Sequence, residues 1–555
     1  MNVLTSLVLR AARRSLPPLL ALGCATSLWA QQPVSADSTH PDSVAADTVS
    51  PLPVIRSIEL DRGNLFDSTQ THHWWARVGN SLHRVTRPWV IRREFLFKPG
   101  QPYDSALVAE TERNLRRLGH FREVHFDTLT TDSGFVIRLK TLDGWTTRLN
   151  LTFGATGNQF AYSASLFDTN LLGTGTQGLI GYRHNPDRDV FSIGAALPRL
   201  IARKVGVSAG YESKSDGKAG AFSIGQPWLS LGARTEFLLS ARFNNQRVLR
   251  YFDGNPDPLD TLTRNHALYL ADLGHAIRGS SGGYLRVGLT GFVQTDGWRI
   301  GEPGPAVPQH TSGAVGVYSE ASRARFVVYR GYQSFDRDED IDISSTARLT
   351  LLATPAAFGY NDGGLGAGLD LQTGTSFLGR HGFATVGLIS SGRFSSSGLD
   401  SGTAILQGIA ALHAGVRHLF VVASSAGMQR TVPPGDEFDL GFGFGPRSFR
   451  THAFTGDRFF YATTEYRGLI DDKLFGLLGV GGAAFADVGG AWYHGTPART
   501  GGDVGFGFRL GISPQAEPDL LRIDLAYRLP GGPQGSGWVV SLGKGFQFSF
   551  RGPPQ

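Results

Sequence analysis

The chain has 555 residues, enough for more than one domain, with 53 basic and 47 acidic side chains and a formal charge of +6. That charge is small for the length, so no nucleic-acid partner is expected. Glycine is abundant, with 73 residues, and phenylalanine contributes 36. No uninterrupted apolar run reaches the roughly 18 to 20 residues that a transmembrane helix needs. This composition instead favours a large antiparallel β protein made of short alternating strands.

Residues 1–30 have the pattern of a secretory signal peptide. Basic residues precede an apolar run over 16–22, and small residues follow, so we expect cleavage after Ser27 or Ala30. Loss of this segment would remove three arginines and lower the formal charge to +3, from 50 basic and 47 acidic residues. Cys24, the single cysteine of the sequence, lies within it, and lipoprotein processing at Cys24 is an open alternative.

Two regions of different composition follow. Residues 31–53 are rich in Ser, Asp, Ala, Pro and Thr, which predicts a disordered linker. Residues 54–143 then form one small α/β domain, with Asp104 or Ser105 as the N-cap of its longest helix. The predicted elements are a strand over 54–60, a mostly helical stretch over 74–97, an amphipathic helix over 106–118, and strands over 121–129 and 135–142.

Residues 144–550 consist of short segments in which apolar residues alternate with polar or small ones. Leu149 and Leu151, for example, alternate with Asn150 and Thr152. We count about twenty such segments, and weak alternation of this kind is the signal of an outer-membrane barrel, where lipid-facing and lumen-facing residues alternate. The sequence therefore predicts a mainly β protein in which a transmembrane antiparallel β-barrel follows the α/β domain.

The end of the barrel region carries a further pattern. Gly543, Phe546 and Phe548 fit the C-terminal signal of bacterial outer-membrane barrels, in which a glycine precedes alternating aromatic residues. Residues two apart on a strand share a face, so these aromatic side chains would share the lipid face. Residues 551–555 extend beyond the pattern as a short tail.

A glycine-flanked stretch, PRSFRTH over 446–452, provides the candidate site. Two alternating runs after it contain Glu465 and Asp487. An arginine inside a barrel needs a carboxylate partner, because an unpaired desolvated charge costs several kcal/mol. Since strands alternate faces, Glu465 and Asp487 can both point inwards. We therefore predict that Arg450 pairs with Asp487, with Glu465 nearby; three unrelated charges on solvated loops are the alternative.

This arrangement resembles the BamA/TamA-type outer-membrane insertase and polypeptide-transport superfamily, whose barrels follow POTRA domains. Members carry an Arg-Gly-aromatic tripeptide in a loop that folds back into the barrel. They also carry a Glu and a Phe-x-Asp-x-Gly element on the next two strands. Arg450, Glu465 and Asp487 match these positions. Thr451 and His452 stand where members usually have Gly and the aromatic residue.

The stretch 114–124 likewise resembles the Leu-x-x-x-Gly-Tyr/His-Phe-x-x-Val pattern of POTRA domains. The resemblance implies one POTRA domain in the periplasm and a barrel of about sixteen strands in the outer membrane of a Gram-negative-type bacterium. It implies insertion of outer-membrane proteins or translocation of a polypeptide, without catalytic residues, cofactor or metal. The partners would be membrane lipids, unfolded outer-membrane or secreted polypeptides, and periplasmic chaperones or accessory proteins.

A barrel enzyme, such as a lipase, and a passive channel are the alternative functions. Residues 279–283 satisfy G-x-S-x-G, but a nucleophile elbow needs a following helix. Here a strand is predicted to follow, so we interpret the motif as a hairpin turn. Four aspartates alternate over 336–342. We predict an exposed, solvated loop there rather than a calcium site, because the glycine of an EF-hand loop is absent.

Overall fold

The structure is a computed structural model. It describes residues 54–544 apart from 67–70, 132–133, 157–158, 186, 202–204, 229, 253–254, 256–257, 301–305, 336–337, 432, 442 and 513–519. The predicted signal peptide (1–30), linker (31–53) and tail (551–555) lie outside the described residues, as do Phe546 and Phe548.

The N-terminal domain is a three-stranded sheet with helices. Its elements are β1 (Ile55–Gly63), α1 (Trp74–Leu82), α2 (Pro88–Arg92), α3 (Ser105–Arg117), β2 (Phe121–Thr131) and β3 (Gly134–Asp143). β3 lies in the centre, parallel to β1 and antiparallel to β2. The predicted order of elements is confirmed, but the helical stretch contains two short helices. Pro88 starts the second helix. Proline is tolerated there because the first N–H of a helix has no hydrogen-bond partner within the helix.

Helix α3 is fixed at its start and along one face. Asp104 is its N-cap, because Oδ1 accepts hydrogen bonds from the N–H groups of Ala106 and Leu107 at 2.8 and 3.4 Å. Val108 and Leu115 on its inner face are buried among apolar residues of the sheet. None of the described helices is long and apolar enough to span a membrane.

Of the other described strands, twenty form a closed barrel and four form two separate hairpins. The barrel strands are β4 (Thr147–Thr156), β5 (Gln159–Leu171), β6 (Thr176–His184), β7 (Asp189–Ile201), β8 (Val205–Lys214), β9 (Gly217–Gln226), β10 (Thr235–Arg250), β11 (Asp260–Ser280), β12 (Gly283–Ile300), β13 (Ala306–Arg323), β16 (Ser345–Thr354), β17 (Gly364–Phe377), β18 (Gly382–Ser395), β19 (Gly398–His413), β20 (His418–Arg430), β23 (Arg458–Leu474), β24 (Leu478–Trp492), β25 (Gly501–Ile512), β26 (Leu521–Arg528) and β27 (Gly537–Lys544). The hairpins are β14 (Phe326–Arg330) with β15 (Asp338–Asp342), and β21 (Phe438–Leu440) with β22 (Phe454–Gly456). The number of barrel strands, twenty, agrees with the number of alternating segments counted in the sequence. It corrects the number of about sixteen strands that the resemblance implied.

The two faces of each barrel strand differ in chemistry. On β25, Phe506 and Phe508 are exposed on the outside, whereas Asp503 and Arg509 point inwards and are buried. This pattern confirms the alternation from which the barrel was predicted.

Because the strand number is even, the first strand begins and the last strand ends at the same mouth of the barrel. This is the domain mouth, beside the N-terminal domain; the other is the far mouth. The β14–β15 hairpin belongs to the domain-mouth connection between β13 and β16. The β21–β22 hairpin belongs to the far-mouth connection between β20 and β23. In the part of the chain that the structure describes, each mouth therefore carries a connection that contains a hairpin of its own.

The first and last barrel strands meet at a seam. β27 lies antiparallel to β4, and within the described residues the register joins Ser541 to Gly154. β26 has eight residues, whereas β11 has 21. Gly543 on β27 contacts the Arg522 guanidinium, where an added Cβ would clash.

A buried carboxylate ties the N-terminal domain to the barrel. Asp143, at the end of β3, accepts hydrogen bonds from N–H and Oγ1 of Thr86 at 2.7 and 2.9 Å. It also lies 2.9 Å from Nε2 of His83. Asn170 on β5 donates to Oγ1 of Thr86 at 2.7 Å and accepts from the N–H of Gly175. The segment before α2 is thus hydrogen-bonded to both the domain sheet and the first barrel hairpin.

We expect Asp143→Ala to loosen this junction. The change leaves two buried donors of Thr86 without their acceptor, at about 1–3 kcal/mol for each group. Limited proteolysis of the membrane-reconstituted protein should then cleave residues 83–87 faster. Asp127→Ala is the matched control, because Asp127 is half-exposed on the domain surface beside His125. Equal cleavage rates in the two variants would contradict this expectation.

Candidate functional site in the barrel lumen

The connection between β20 and β23 folds from the far mouth into the lumen. Its short strands pair with one another, and Phe449 between them is fully buried, with its ring 5.0 Å from that of Phe454. Gly445 has a φ of +130°, a conformation that favours glycine, just before the chain reaches Pro446. The loop formed by this connection, residues 431–457, therefore presents the side chain of Arg447 to the inner wall.

Arg447 forms the centre of the site, and its side chain is completely buried. Nε donates to Oδ2 of Asp487 at 2.7 Å, and Nη2 donates to the other oxygen at 3.2 Å. Nη1 donates to Glu465 at 3.1 Å and to Asp524 at 3.0 Å. The guanidinium carbon lies 3.7 Å from the ring centroid of Phe485. A planar guanidinium can make this set of directional bonds, whereas an ammonium group cannot.

Three further arginines on the barrel wall share these carboxylates. Arg467 donates from Nε to Glu465 at 2.6 Å. Arg509 donates to Glu465 at 3.1 Å and to Asp524 at 2.6 Å. Arg522 donates to Asp524 at 3.1 Å. Four guanidinium groups therefore surround three carboxylates, and removal of one partner would leave buried charge without compensation.

The loop backbone is held beside these ion pairs. Asp503 accepts a hydrogen bond from the N–H of Ser448 at 2.9 Å, and Arg528 donates to the carbonyl oxygen of Ser448 at 2.7 Å. The ring of Phe449 packs against Gly532, where an added Cβ would lie 2.8 Å from the ring. The backbone contacts and the side-chain ion pairs thus fix the same turn of the loop.

The structure corrects the prediction of which arginine binds the carboxylates. Arg447, three residues before Arg450, pairs with Glu465 and Asp487. The backbone N–H of Arg450 donates to Oε1 of Gln534 at 3.2 Å instead. The tripeptide Arg-Ser-Phe over 447–449 keeps the arginine and the aromatic residue of the Arg-Gly-aromatic pattern. Both predicted carboxylates are in the site, and their functional role remains a proposal.

Sequence reasoning missed Asp524 and the three wall arginines. A signal for three of these residues was present. Phe506 and Phe508 face outwards. Because neighbouring residues on a strand point to opposite faces, Arg509, directly after Phe508, faces the lumen. Arg522 and Asp524 are two residues apart and therefore share a face. Charged residues at lumen positions on neighbouring strands were the pattern to look for.

His452 holds the same loop at the far mouth. Its Nδ1 lies 2.5 Å from Asp439 and its Nε2 lies 2.8 Å from Asp187, in the β6–β7 connection. The imidazole stacks on Tyr251, in the β10–β11 connection, at 3.9 Å between centroids. Burial lowers the pKa of His452, but the carboxylates of Asp439 and Asp187 outweigh burial and raise it from 6.5 to about 10. A charged histidine therefore joins the loop to connections on the other side of the barrel.

Comparison with protein families assigns the N-terminal domain. Residues 80–153 match the family described as POTRA: Surface antigen variable number repeat. The POTRA prediction is therefore confirmed for the domain that precedes the barrel. No curated protein sequence matches the chain.

The solved structures to which this chain is similar include BamA and CdiB proteins, at low sequence identity. BamA from Haemophilus ducreyi lacking POTRA domains 1–3 is 13% identical, with a TM-score of 0.39, over 89% of this chain and 84% of that chain. CdiB from Escherichia coli is 13% identical, with a TM-score of 0.43, over 92% and 94%. CdiB from Acinetobacter baumannii is 11% identical, with a TM-score of 0.39, over 89% and 74%.

Arg447→Ala should undock the loop from the lumen wall. It leaves the buried carboxylates of Asp487 and Glu465 without one partner, an effect of about 3–5 kcal/mol for a broken buried pair. Arg447→Lys should restore little docking, because an ammonium group cannot bridge these carboxylates. Protease cleavage of residues 431–457 in the reconstituted protein measures the docking.

Arg450→Ala is the matched control for this experiment. It should leave cleavage of the loop close to that of the unaltered chain, because the ion pairs of Arg447 remain. Heat-dependent gel mobility should show a folded barrel in each variant, since the hydrogen bonds between strands are untouched. Faster cleavage in Arg450→Ala than in Arg447→Ala would refute the assignment of Arg447.

The contact of His452 should depend on pH. The raised pKa means that the charged histidine stabilises the docked loop fully below about pH 6.5, and that this contribution is lost as the pH rises through about 10. Anisotropy of a fluorophore on Thr451→Cys, in a Cys24→Ser chain, should fall over that range. His452→Phe keeps a ring to stack on Tyr251 but carries no charge, so its profile should be flat.

Proposed function

We propose that this chain acts on polypeptides at the outer membrane of a Gram-negative-type bacterium. Its first function in this proposal is insertion of β-barrel proteins into that membrane, and translocation of a polypeptide is the second candidate. One observation carries the proposal: a POTRA domain is docked on a closed barrel whose lumen contains a loop held by the buried Arg447.

The surface of the barrel supports its place in the outer membrane. Large apolar side chains such as Leu149, Leu151, Phe506 and Phe508 are exposed on the outside. Lipid would cover these side chains, because strands of an outer-membrane barrel alternate lipid-facing and lumen-facing residues. The domain mouth then faces the periplasm, where the POTRA domain would meet unfolded clients, chaperones or accessory proteins.

The seam supports insertion in preference to conduction through the lumen. The first and last barrel strands, β4 and β27, meet there, and within the described residues the register joins Ser541 to Gly154. A weakly paired strand edge exposes backbone N–H and C=O groups that can template an incoming strand. The work would then be done by backbone hydrogen bonds, without a cofactor or covalent chemistry.

The same geometry is less suited to the alternative functions. A passive channel needs an open lumen, whereas here the loop over 431–457 packs into the interior of the barrel. The G-x-S-x-G motif at 279–283 forms the turn between β11 and β12 and is followed by a strand. A nucleophile elbow would require a helix at that position.

A disulfide across the seam tests the proposal. Ser541 and Gly154 are directly paired, so cysteines at both positions in a Cys24→Ser chain should cross-link on oxidation. The oxidised protein in liposomes should lose insertion of an unfolded outer-membrane protein, and a reductant should restore it. Insertion would be followed by the heat-dependent gel mobility of the client.

The matched control is a disulfide in a continuous part of the barrel. Ser424 and Ala462 are paired on β20 and β23, so cysteines there should cross-link without loss of insertion. If the oxidised seam variant inserts the client at the rate of the reduced protein, the seam is not the working edge. If both oxidised variants instead block passage of a secreted polypeptide into liposomes, the result would favour translocation over insertion as the function of this chain.

A further inference from the structure

The domain-mouth connection between β13 and β16, residues 324–344, folds back into the barrel. We call its described part the mouth hairpin; it consists of β14, residues 331–335 and β15. Tyr329 packs edge-on against Phe383 of β18 at 4.9 Å and stacks on His413 of β19 at 4.7 Å. Val327 and Ile343 are buried in the same apolar cluster. The hairpin is therefore packed on the inner wall and does not extend into solvent.

The tip of the mouth hairpin reaches across the barrel. An added Cβ at Gly479 on β24 would lie 3.0 Å from Cβ of Phe335, and one at Gly511 on β25 would lie 3.1 Å from its ring. Five strands, β17 to β20 and β23, separate β16 from β24 around the barrel. Glu339 accepts hydrogen bonds from the N–H groups of Gln333 and Ser334 at 2.8 and 3.0 Å, which fixes the turn. The hairpin thus spans the mouth from one wall to another.

Helix α3 of the POTRA domain packs on the hairpin. Arg116 donates from Nε and Nη2 to the two oxygens of Asp340 at 2.8 and 3.1 Å. The guanidinium carbons of Arg113 and Arg117 lie over the ring of Phe326, at 5.0 and 5.5 Å from its centroid. The prediction that the acidic stretch is an exposed loop is therefore corrected. Over Asp338–Asp342 it forms the strand β15, and Arg116, from a distant part of the chain, neutralises Asp340; Asp336 lies outside the described residues.

The hairpin also touches the lumen site. Arg467 donates from Nη1 to the carbonyl oxygen of Tyr332 at 2.7 Å and from Nε to Glu465 at 2.6 Å. One arginine therefore contacts both the hairpin and the carboxylate that binds Arg447. Continuous polar contacts run from the POTRA helix through the hairpin to the loop at the far mouth.

We propose that the mouth hairpin is a releasable seal of the domain mouth and that helix α3 of the POTRA domain holds it closed. The hairpin is joined to the barrel at both ends, through β13 and β16, so it can swing outwards without leaving the protein. Its contact with α3 is a partly exposed ion pair between Arg116 and Asp340, with side-chain exposures of 21% and 14%. Such a contact is weaker than a buried one, so movement of the POTRA domain can break it. A client that displaces α3 would thereby open the mouth.

The first measurement is the accessibility of the lumen behind the hairpin. Ser425 on β20 faces the lumen and is 3% exposed. Ser425→Cys, in a full-length Cys24→Ser chain in detergent, should react slowly with a charged maleimide. Asp340→Ala and Arg116→Ala should each raise the rate by up to about fivefold, the effect expected for loss of a partly exposed ion pair. Asp338→Ala is the matched control, because Asp338 lies on the same strand with its side chain 57% exposed.

The second measurement reports the position of the hairpin itself. Cysteines in place of Phe335 and Gly479 have Cβ atoms close enough for a disulfide after a small adjustment. Mild oxidation should cross-link them in high yield in the otherwise unaltered chain, and Asp340→Ala should lower that yield. A gel-mobility shift separates the cross-linked form from the open form.

Two results would overturn the proposal. Ser425→Cys could react as fast as Val416→Cys, a position in a turn that is 89% exposed, which would mean that the hairpin does not seal the lumen. Asp340→Ala could leave both the labelling rate and the cross-link yield unchanged, which would mean that α3 does not control the hairpin. Neither measurement uses a client polypeptide, so the outcome is independent of whether the barrel inserts or translocates.

Discussion

The interior of this barrel depends on the burial of one guanidinium group. Arg447 enters the lumen on a loop, and Asp487, Glu465 and Asp524 reach it from three strands. A buried charge is tolerated when its partners satisfy it, and loss of one partner is expensive because the remaining charges stay desolvated. The loop is thus held where all of its partners are present, and the geometry of the barrel wall is constrained by the same contact.

The lumen therefore resembles the core of a soluble protein more than a channel. Among the described residues, twenty buried apolar ones from the barrel wall, the far-mouth loop and the mouth hairpin form one cluster, which includes Phe383, Phe444 and Tyr461. Apolar side chains in the lumen require a covering partner, because water contact with such a surface is unfavourable. The far-mouth loop and the mouth hairpin are these covering segments. The chain therefore fills the lumen of its own barrel with segments from both mouths.

The sequence predicted what depends on local pattern. Alternation at Leu149 and Leu151 revealed the barrel, and the N-cap at Asp104 placed a helix, because each signal lies within a few residues. Glu465 and Asp487 were placed in the lumen by the same alternation. The arginine was wrong by three residues because its position depends on how a long loop folds back onto distant strands. Asp340 was assigned to solvent because its partner lies 224 residues earlier in the chain.

The ion pair that holds the far-mouth loop and the ion pair that joins the mouth hairpin to the POTRA domain differ in strength, and the difference predicts an order in which they break. The far-mouth loop is held by ion pairs whose side chains are fully buried, such as Arg447 with Asp487. Breaking such a pair has an effect of about 3–5 kcal/mol. The mouth hairpin meets the POTRA domain through Arg116 and Asp340, which are partly exposed, and exposed pairs contribute about 1 kcal/mol or less. Since the weaker contact is the one that involves the POTRA domain, release at the domain mouth should precede any release of the loop. The shared contact of Arg467 with Tyr332 and Glu465 then offers a route by which the first event weakens the second.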